Sequence, residues 1–234
     1  MTSAGLLGRL RGGLIVSVQA EAESLLNTPE TIALLARVAV RNGAAGVRIE
    51  GVERIAAVRR AVDVPIVGII KRVHPGFAPY ITSTREEVAA VRGAGADIVA
   101  FDATTRARAG GAGVASLVED IHRSGVLAMA DCAELADGRN AVAAGADIVA
   151  TTLAGYTEGT QGRDLPALDL LAELVAIHSF AVCEGGIHRP VDAEAAFASG
   201  AAAVVVGTAI TNVDALVRRF ATVAARARSD ASAR

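Results

Sequence analysis

Lys71 ends an apolar run in "VPIVGIIKR", and Glu184 ends another in "FAVCE". An amine and a carboxyl at the ends of buried runs are residue types that can serve as acid or base. Gln19 closes "LIVSVQ", Arg48 falls in "VRIE", Asp102 closes "IVAFD", Asp131 closes "VLAMAD" and Thr152 follows "IVAT". A free lysine titrates near ~10.4 and is protonated at neutral pH. Burial beside Arg48 would lower it toward the range of a base. Two further stretches, Gly185–Gly186 in "CEGGIHRP" and Gly207–Thr208 in "VVVGTAIT", bring small residues to turns, where backbone N–H groups can face a phosphate.

Taken singly, each charged strand end would be an ordinary ion-paired residue. A ring mixing amide, guanidinium, amine and carboxylates is costly to desolvate unless it holds a polar ligand. The ring therefore reads as a functional mouth. The histidines show no ligand spacing and Ser17 has no base beside it, so neither a metal nor serine chemistry is expected. His74 and His188 fall in mouth-side loops.

These residues need elements to position them. "AGADIVA" occurs at Ala94–Ala100 and again at Ala144–Ala150, with looser echoes from Asn42 and Ser199. Each echo places a glycine where a helix ends and a β-rich run begins. With the runs ending at Gln19, Lys71, Asp131 and Glu184 this makes eight strands, separated by helical patterns. The helices are expected over Pro29–Arg41, Glu53–Ala61, Arg85–Gly93, Val114–Arg123, Ala133–Ala143, Pro166–Ile177, Pro190–Ala198 and Val213–Arg228. Pro29, Pro166 and Pro190 suit first-turn positions. Unbroken strand–helix alternation implies a parallel sheet, and eight repeats imply a single (β/α)8 TIM barrel, an α/β fold. One domain over 1–234 is expected, with a short N-terminal helix and a frayed tail, "ARSDASAR". An open dinucleotide-binding sheet needs a G-x-G-x-x-G turn after its first strand, and that turn is absent. Alternation puts Val67, Ile69 and Lys71 on one inward face.

A net charge of −2 and 3% aromatic residues argue against nucleic-acid or membrane-surface partners. No apolar run reaches membrane-spanning length. Cys132 and Cys183 read as free packing thiols of a cytoplasmic protein.

Together these segments resemble the N-acylglucosamine-6-phosphate 2-epimerase (N-acetylmannosamine-6-phosphate 2-epimerase) family. The matching stretches run from "GGLIVSVQA" through "VRIEGV", "VPIVGIIKR", "AGADIVAFDAT", "LAMADC", "GADIVATTLAGYT" and "CEGGIHRP" to "VVVGTAIT". The resemblance implies a TIM-barrel epimerase that interconverts N-acetylmannosamine 6-phosphate and N-acetylglucosamine 6-phosphate, without a cofactor. It makes Lys71 the proton-transfer residue at carbon 2 and Glu184 its catalytic partner. Gln19, Arg48, Asp131 and Thr152 would line the sugar site. Gly185, Gly186, Gly207 and Thr208 would hold the phosphate. The family is often dimeric, so a homodimer is among the expectations. Members often carry a basic residue where Gly186 stands and arginine where Asn212 stands, which makes Arg189 the candidate substitute for the phosphate. Two other readings stay open. A pentose-phosphate epimerase-like barrel would place metal-binding histidines at strand ends, which this chain lacks. A non-catalytic phosphosugar sensor would fit the asparagine at 212.

Overall fold

The computed structural model of the chain describes residues 2–232. Eight parallel strands close on themselves in chain order. They are β1 (Gly13–Val18), β2 (Gly46–Glu50), β3 (Ile66–Ile69), β4 (Ile98–Asp102), β5 (Leu127–Asp131), β6 (Ile148–Ala150), β7 (Ala181–Glu184) and β8 (Ala203–Val206). Pairing of β1 with both β2 and β8 completes the barrel. Between the strands run α2 (Pro29–Arg41), α3 (Val52–Arg59), α4 (Arg85–Gly93), α5 (Val114–Arg123), α6 (Leu135–Ala143), α7 (Leu168–Ile177) and α8 (Pro190–Ala198). The short α9 (Thr208–Thr211) and the long α10 (Val213–Ser232) follow β8, and α1 (Ser3–Leu10) precedes β1. The chain is a single (β/α)8 barrel, as its alternation predicts.

The period-two rule divides each strand between two cores. Ile15, Val67, Ile69, Met129, Val182 and Val205 fill the lumen. Val47, Ile49, Val99, Phe101, Val149 and Val204 pack outward under the helices. Fully burying such a side chain stabilises the fold by about 1.5–3 kcal/mol. Gly68 interrupts the apolar run of β3 for a steric reason. A Cβ there would lie 2.6 Å from Val91 Cγ1 and 2.7 Å from Ala96 Cβ, so only glycine lets α4 approach the strand this closely.

The lower end of the lumen is closed. Thr2 caps α1 by accepting a hydrogen bond from the Gly5 N–H at 3.3 Å. Leu6 and Leu10 of that helix, with Phe180, belong to the same apolar cluster as the lumen residue Ile15. The Arg11 guanidinium stacks 4.9 Å from the centre of the Phe180 ring.

Several boundaries differ from those the sequence suggests. Pro29 and Pro190 do open their helices. Pro166 does not, because the Leu168 N–H donates to the Pro166 carbonyl at 2.8 Å and Ala167 has a non-helical ψ of 70°. That tight turn delays α7 to Leu168. Helix α6 starts at Leu135, since the Asp137 carboxylate takes the N–H groups of Ala133 and Glu134 at 3.0 and 3.1 Å and so caps it there. The tail expected to fray from Ala227 continues α10 as far as Ser232, and residues 233–234 lie outside those described.

Candidate active site

The upper end of the barrel opens into a cavity of about 380 Å³. Of the residues singled out from the sequence, Gln19, Arg48, Lys71, Thr152 and Glu184 line it, together with Gly185, Gly186, Gly207 and Thr208. Each polar one falls on the inward phase of its strand or just beyond the strand's last residue. Parity therefore positions them, as it does Val67 and Ile69 below Lys71.

Arg48 is the hub. Its side chain is 1% exposed, and it donates from Nη2 to Asp131 Oδ2 at 2.6 Å and from Nη1 to Asp131 Oδ1 at 3.1 Å. Nη1 also lies 3.0 Å from Glu184 Oε2. Burial opposes the arginine's charge, but Asp131 and then Glu184 overcome it, so its pKa is raised. Asp131 itself is fully buried and does not line the cavity. It reaches the site only through the groups that bond it, Arg48 and the Thr152 hydroxyl at 2.7 Å. Among the sugar-site residues that the resemblance implies, Asp131 is the one that stands behind another side chain, Arg48. Asp102 is also held away, bonded to Thr104 and to Arg106 Nη2 at 2.8 Å.

Glu184 is pinned at both backbone atoms by Thr151. Its N–H donates to Thr151 Oγ1 at 3.0 Å, and that hydroxyl donates to the Glu184 carbonyl at 2.9 Å. The Glu184 carboxyl has its pKa pushed up to about 7, first by burial, against the opposing pull of Arg48, and then by Asp131. Arg48 lies 3.0 Å away and pulls the other way, but burial outweighs it, and the Asp131 carboxylate on the same guanidinium adds to the rise. The Thr152 hydroxyl lies 2.7 Å from Asp131 Oδ1 and 3.2 Å from Glu184 Oε2. It has one proton to give. A protonated Glu184 donating to Thr152, which donates to Asp131, satisfies all three groups.

Lys71 stands on the far side of the mouth. Its side chain stays open to the cavity, yet the protein atoms around the ammonium deprive it of hydration. That desolvation, followed by the Arg48 charge, lowers its pKa below the ordinary lysine value. Its N–H points toward Glu50 Oε1 at 3.5 Å, and its backbone pairs with Ile81.

The two glycine turns gather at the other end of the cavity. Gly186 has φ +74°, and a Cβ there would stand 2.2 Å from Leu165 Cβ. Leu165 fills the space a side chain at 186 would need. Arg189, the expected substitute for a missing basic residue, donates to Asp192 Oδ1 at 2.9 Å and does not line the cavity. Asn212 does line it, with Nδ2 3.4 Å from Glu21 Oε1 and Oδ1 accepting from the Ala215 N–H at 2.9 Å. His188 reaches the cavity wall, whereas His74 turns to Glu87 at 3.0 Å. Sequence reasoning missed Glu21, Tyr80, Ile81, Tyr156 and Thr211, which also line the cavity. "PYIT" held the available signal, a tyrosine in a chain with only two. Among the described residues, no group of three or more His, Cys, Asp or Glu side chains is placed to hold a metal ion.

A buried arginine–carboxylate hub, an amine and a carboxyl with displaced pKa values, and glycine turns after β7 and β8 define a barrel of the sugar-phosphate isomerase kind. Residues 32–226 match the family described as "Putative N-acetylmannosamine-6-phosphate epimerase". The chain belongs to this family. It is 47% identical over 217 residues to a "Putative N-acetylmannosamine-6-phosphate 2-epimerase" of Thermosynechococcus vestitus, covering 92% of this chain and 94% of that one. A relative of the same description from Yersinia pestis is 44% identical over 206 residues, covering 88% of this chain and 87% of the other. The solved N-acetylmannosamine-6-phosphate 2-epimerase from Clostridium perfringens superposes with a TM-score of 0.91 at 36% identity, covering 95% of this chain and 98% of that one.

Proposed function

We propose that this chain interconverts N-acetylmannosamine 6-phosphate and N-acetylglucosamine 6-phosphate by removing a proton from carbon 2 and returning it to the opposite face. The observation that carries the reading is the placement of Lys71 and Glu184. Lys71 lies two residues beyond β3 and Glu184 ends β7; these strands are four apart in either direction around the eight-stranded ring, so the two groups flank one cavity. Lys71, with its lowered pKa, is the proton-transfer residue. Glu184, neutral or ionised near pH 7, serves ring opening and the developing enediolate as acid or base. Arg48 stabilises negative charge as it forms. Gln19 and Thr152 orient the sugar, and Asp131 fixes Arg48. Gly185, Gly186, Gly207 and Thr208 receive the phosphate. No cofactor enters this scheme, because the electrons of the broken C–H bond stay on the sugar.

Proton NMR in heavy water with N-acetylmannosamine 6-phosphate tests it. Formation of N-acetylglucosamine 6-phosphate carrying deuterium at carbon 2, lost in Lys71→Ala, is the expected result. Binding without turnover or exchange would instead favour the sensor reading, which asparagine at 212, where members of the family often carry arginine, motivates.

A homodimer in the cytoplasm completes the proposal. Helix α10 turns Val217, Phe220 and Val223 to solvent, with Phe220 78% exposed, while Leu34 and Val38 of α2 and Phe197 of α8 stand uncovered. A second copy would cover such surfaces, and Phe220→Glu should shift the sedimenting species to monomer. Both cysteines are free and buried, as in a reducing compartment. No helix among the described residues is long and apolar enough to cross a membrane.

A further inference from the structure

Thr82 is a fully buried, β-branched residue with φ +40°, the one non-glycine residue with positive φ among those described. Such a backbone is costly for threonine and persists only where its surroundings enforce it. The enforcing contacts are specific. The Thr82 N–H donates to the Ile70 carbonyl at 2.8 Å, and Thr82 Oγ1 accepts from the Ile70 N–H at 3.1 Å. The next two N–H groups, of Ser83 and Thr84, are taken by Glu87 Oε2 at 2.7 and 3.3 Å. Thr84 and Glu87 form the capping box of α4, so the strained residue is fastened on its other side to a helix end.

Ile70 immediately precedes Lys71. The segment between Lys71 and Thr82 is a small flap: Lys71 pairs with Ile81, the Arg72 N–H donates to the Tyr80 carbonyl at 2.8 Å, and His74 pairs with Phe77. Tyr80 and Ile81 line the cavity. Strand β3 ends at Ile69, so the ladder does not hold Lys71. At Ile70 the hold passes to Thr82. Thr151 grips the backbone N–H and carbonyl of Glu184 in a similar way, through its hydroxyl alone. The two opposing ends of the site are thus each fixed by a buried threonine from outside their own strand.

We propose that Thr82 is a positioning residue for Lys71, fixing where the amine enters the mouth by gripping the backbone of Ile70 from a strained conformation. This rests on the reading of Lys71 as the proton-transfer residue. A group displaced by about 1 Å can lose about 100-fold in rate. Thr82→Val keeps the shape and removes the acceptor. Thr82→Gly removes the acceptor and accepts positive φ without strain, so it remains folded if the bulkier variant does not. Thr82→Ser retains the hydroxyl.

The test is the steady-state kinetics of all three on N-acetylmannosamine 6-phosphate, beside Lys71→Ala, with thermal melting to establish folding. The expected result is a kcat about 10- to 100-fold lower in Thr82→Val and Thr82→Gly, KM within about twofold of wild type, and near-complete rescue by Thr82→Ser. An unchanged kcat in folded Thr82→Val or Thr82→Gly, or a rise in KM alone, overturns the proposal while Lys71→Ala stays inactive. Turnover by Lys71→Ala overturns the lysine assignment and this proposal with it.

Discussion

Arg48 and Asp131 meet across the lumen from β2 and β5 as a two-pronged ion pair, at 2.6 and 3.1 Å, with side-chain exposures of 1% and 0%. The pair does not touch the cavity as a unit. Only the arginine does, and the aspartate fixes the face that it presents.

Asp131→Asn should therefore act twice. It removes one of the two carboxylates on a buried guanidinium and leaves Glu184 at 3.0 Å, so the loss of stability should fall below the roughly 3–5 kcal/mol of a fully unpaired buried charge. It also removes a negative neighbour that raises the Glu184 pKa and frees Arg48 to serve Glu184 alone. Both changes move the Glu184 titration downward. Carbon-13 NMR of labelled glutamate would register that movement, and an upward shift would refute the account.

The raised pKa of Glu184 has a consequence for stability. The folded carboxyl titrates near about 7, above the ordinary glutamate range in which the unfolded chain titrates. The native state thus binds the proton more tightly, and this contribution is complete at low pH. It is lost as pH rises through about 7. Denaturant titrations from pH 5 to 8 should show stability falling with pH from this group, and Glu184→Gln should flatten that slope.

Gly186→Ala should lower the melting temperature and raise KM for the phosphosugar. A left-handed backbone costs an L-residue about 1–2 kcal/mol, and the new Cβ must also displace Leu165. Adding Leu165→Ala to the same chain should recover the steric part and leave the backbone part. If the double variant is no better than the single one, Leu165 is not the obstacle.

Asn212→Arg should lower KM for the phosphorylated sugar by about fivefold, equivalent to about 1 kcal/mol, if the phosphate lies between Gly186 and Thr208. Glu21 beside it would take part of the new charge. Inhibition by inorganic phosphate, measured in parallel, should strengthen in the same proportion.

The barrel was legible because its strand ends repeat one physical pattern. In "VGIIK" and "AVCE" the last apolar residues are followed by a charge, which only a polar mouth tolerates, and parity then carried Lys71 and Glu184 inward. The pairing of Arg48 with Asp131 was not legible, since β2 and β5 are distant in sequence and meet only when the ring closes. Nor was the burial of Asp131, for a strand-end carboxylate reads the same whether it faces the ligand or stands behind an arginine. Pro166 misled because its residue type fits a helix start and a tight turn equally well. Thr82 gave no sign at all: a threonine at positive φ is created by the contacts around it, with Ile70 on one side and α4 on the other.

The apolar stopper that Leu6, Leu10 and Phe180 form beneath the lumen makes the barrel a blind alley. The cavity that would admit the sugar opens beside Lys71 and Glu184, at the end of the barrel away from that cluster. Each epimer must back out before its successor can enter. Substrate and product then share that mouth, and a high product concentration should slow the entry of substrate.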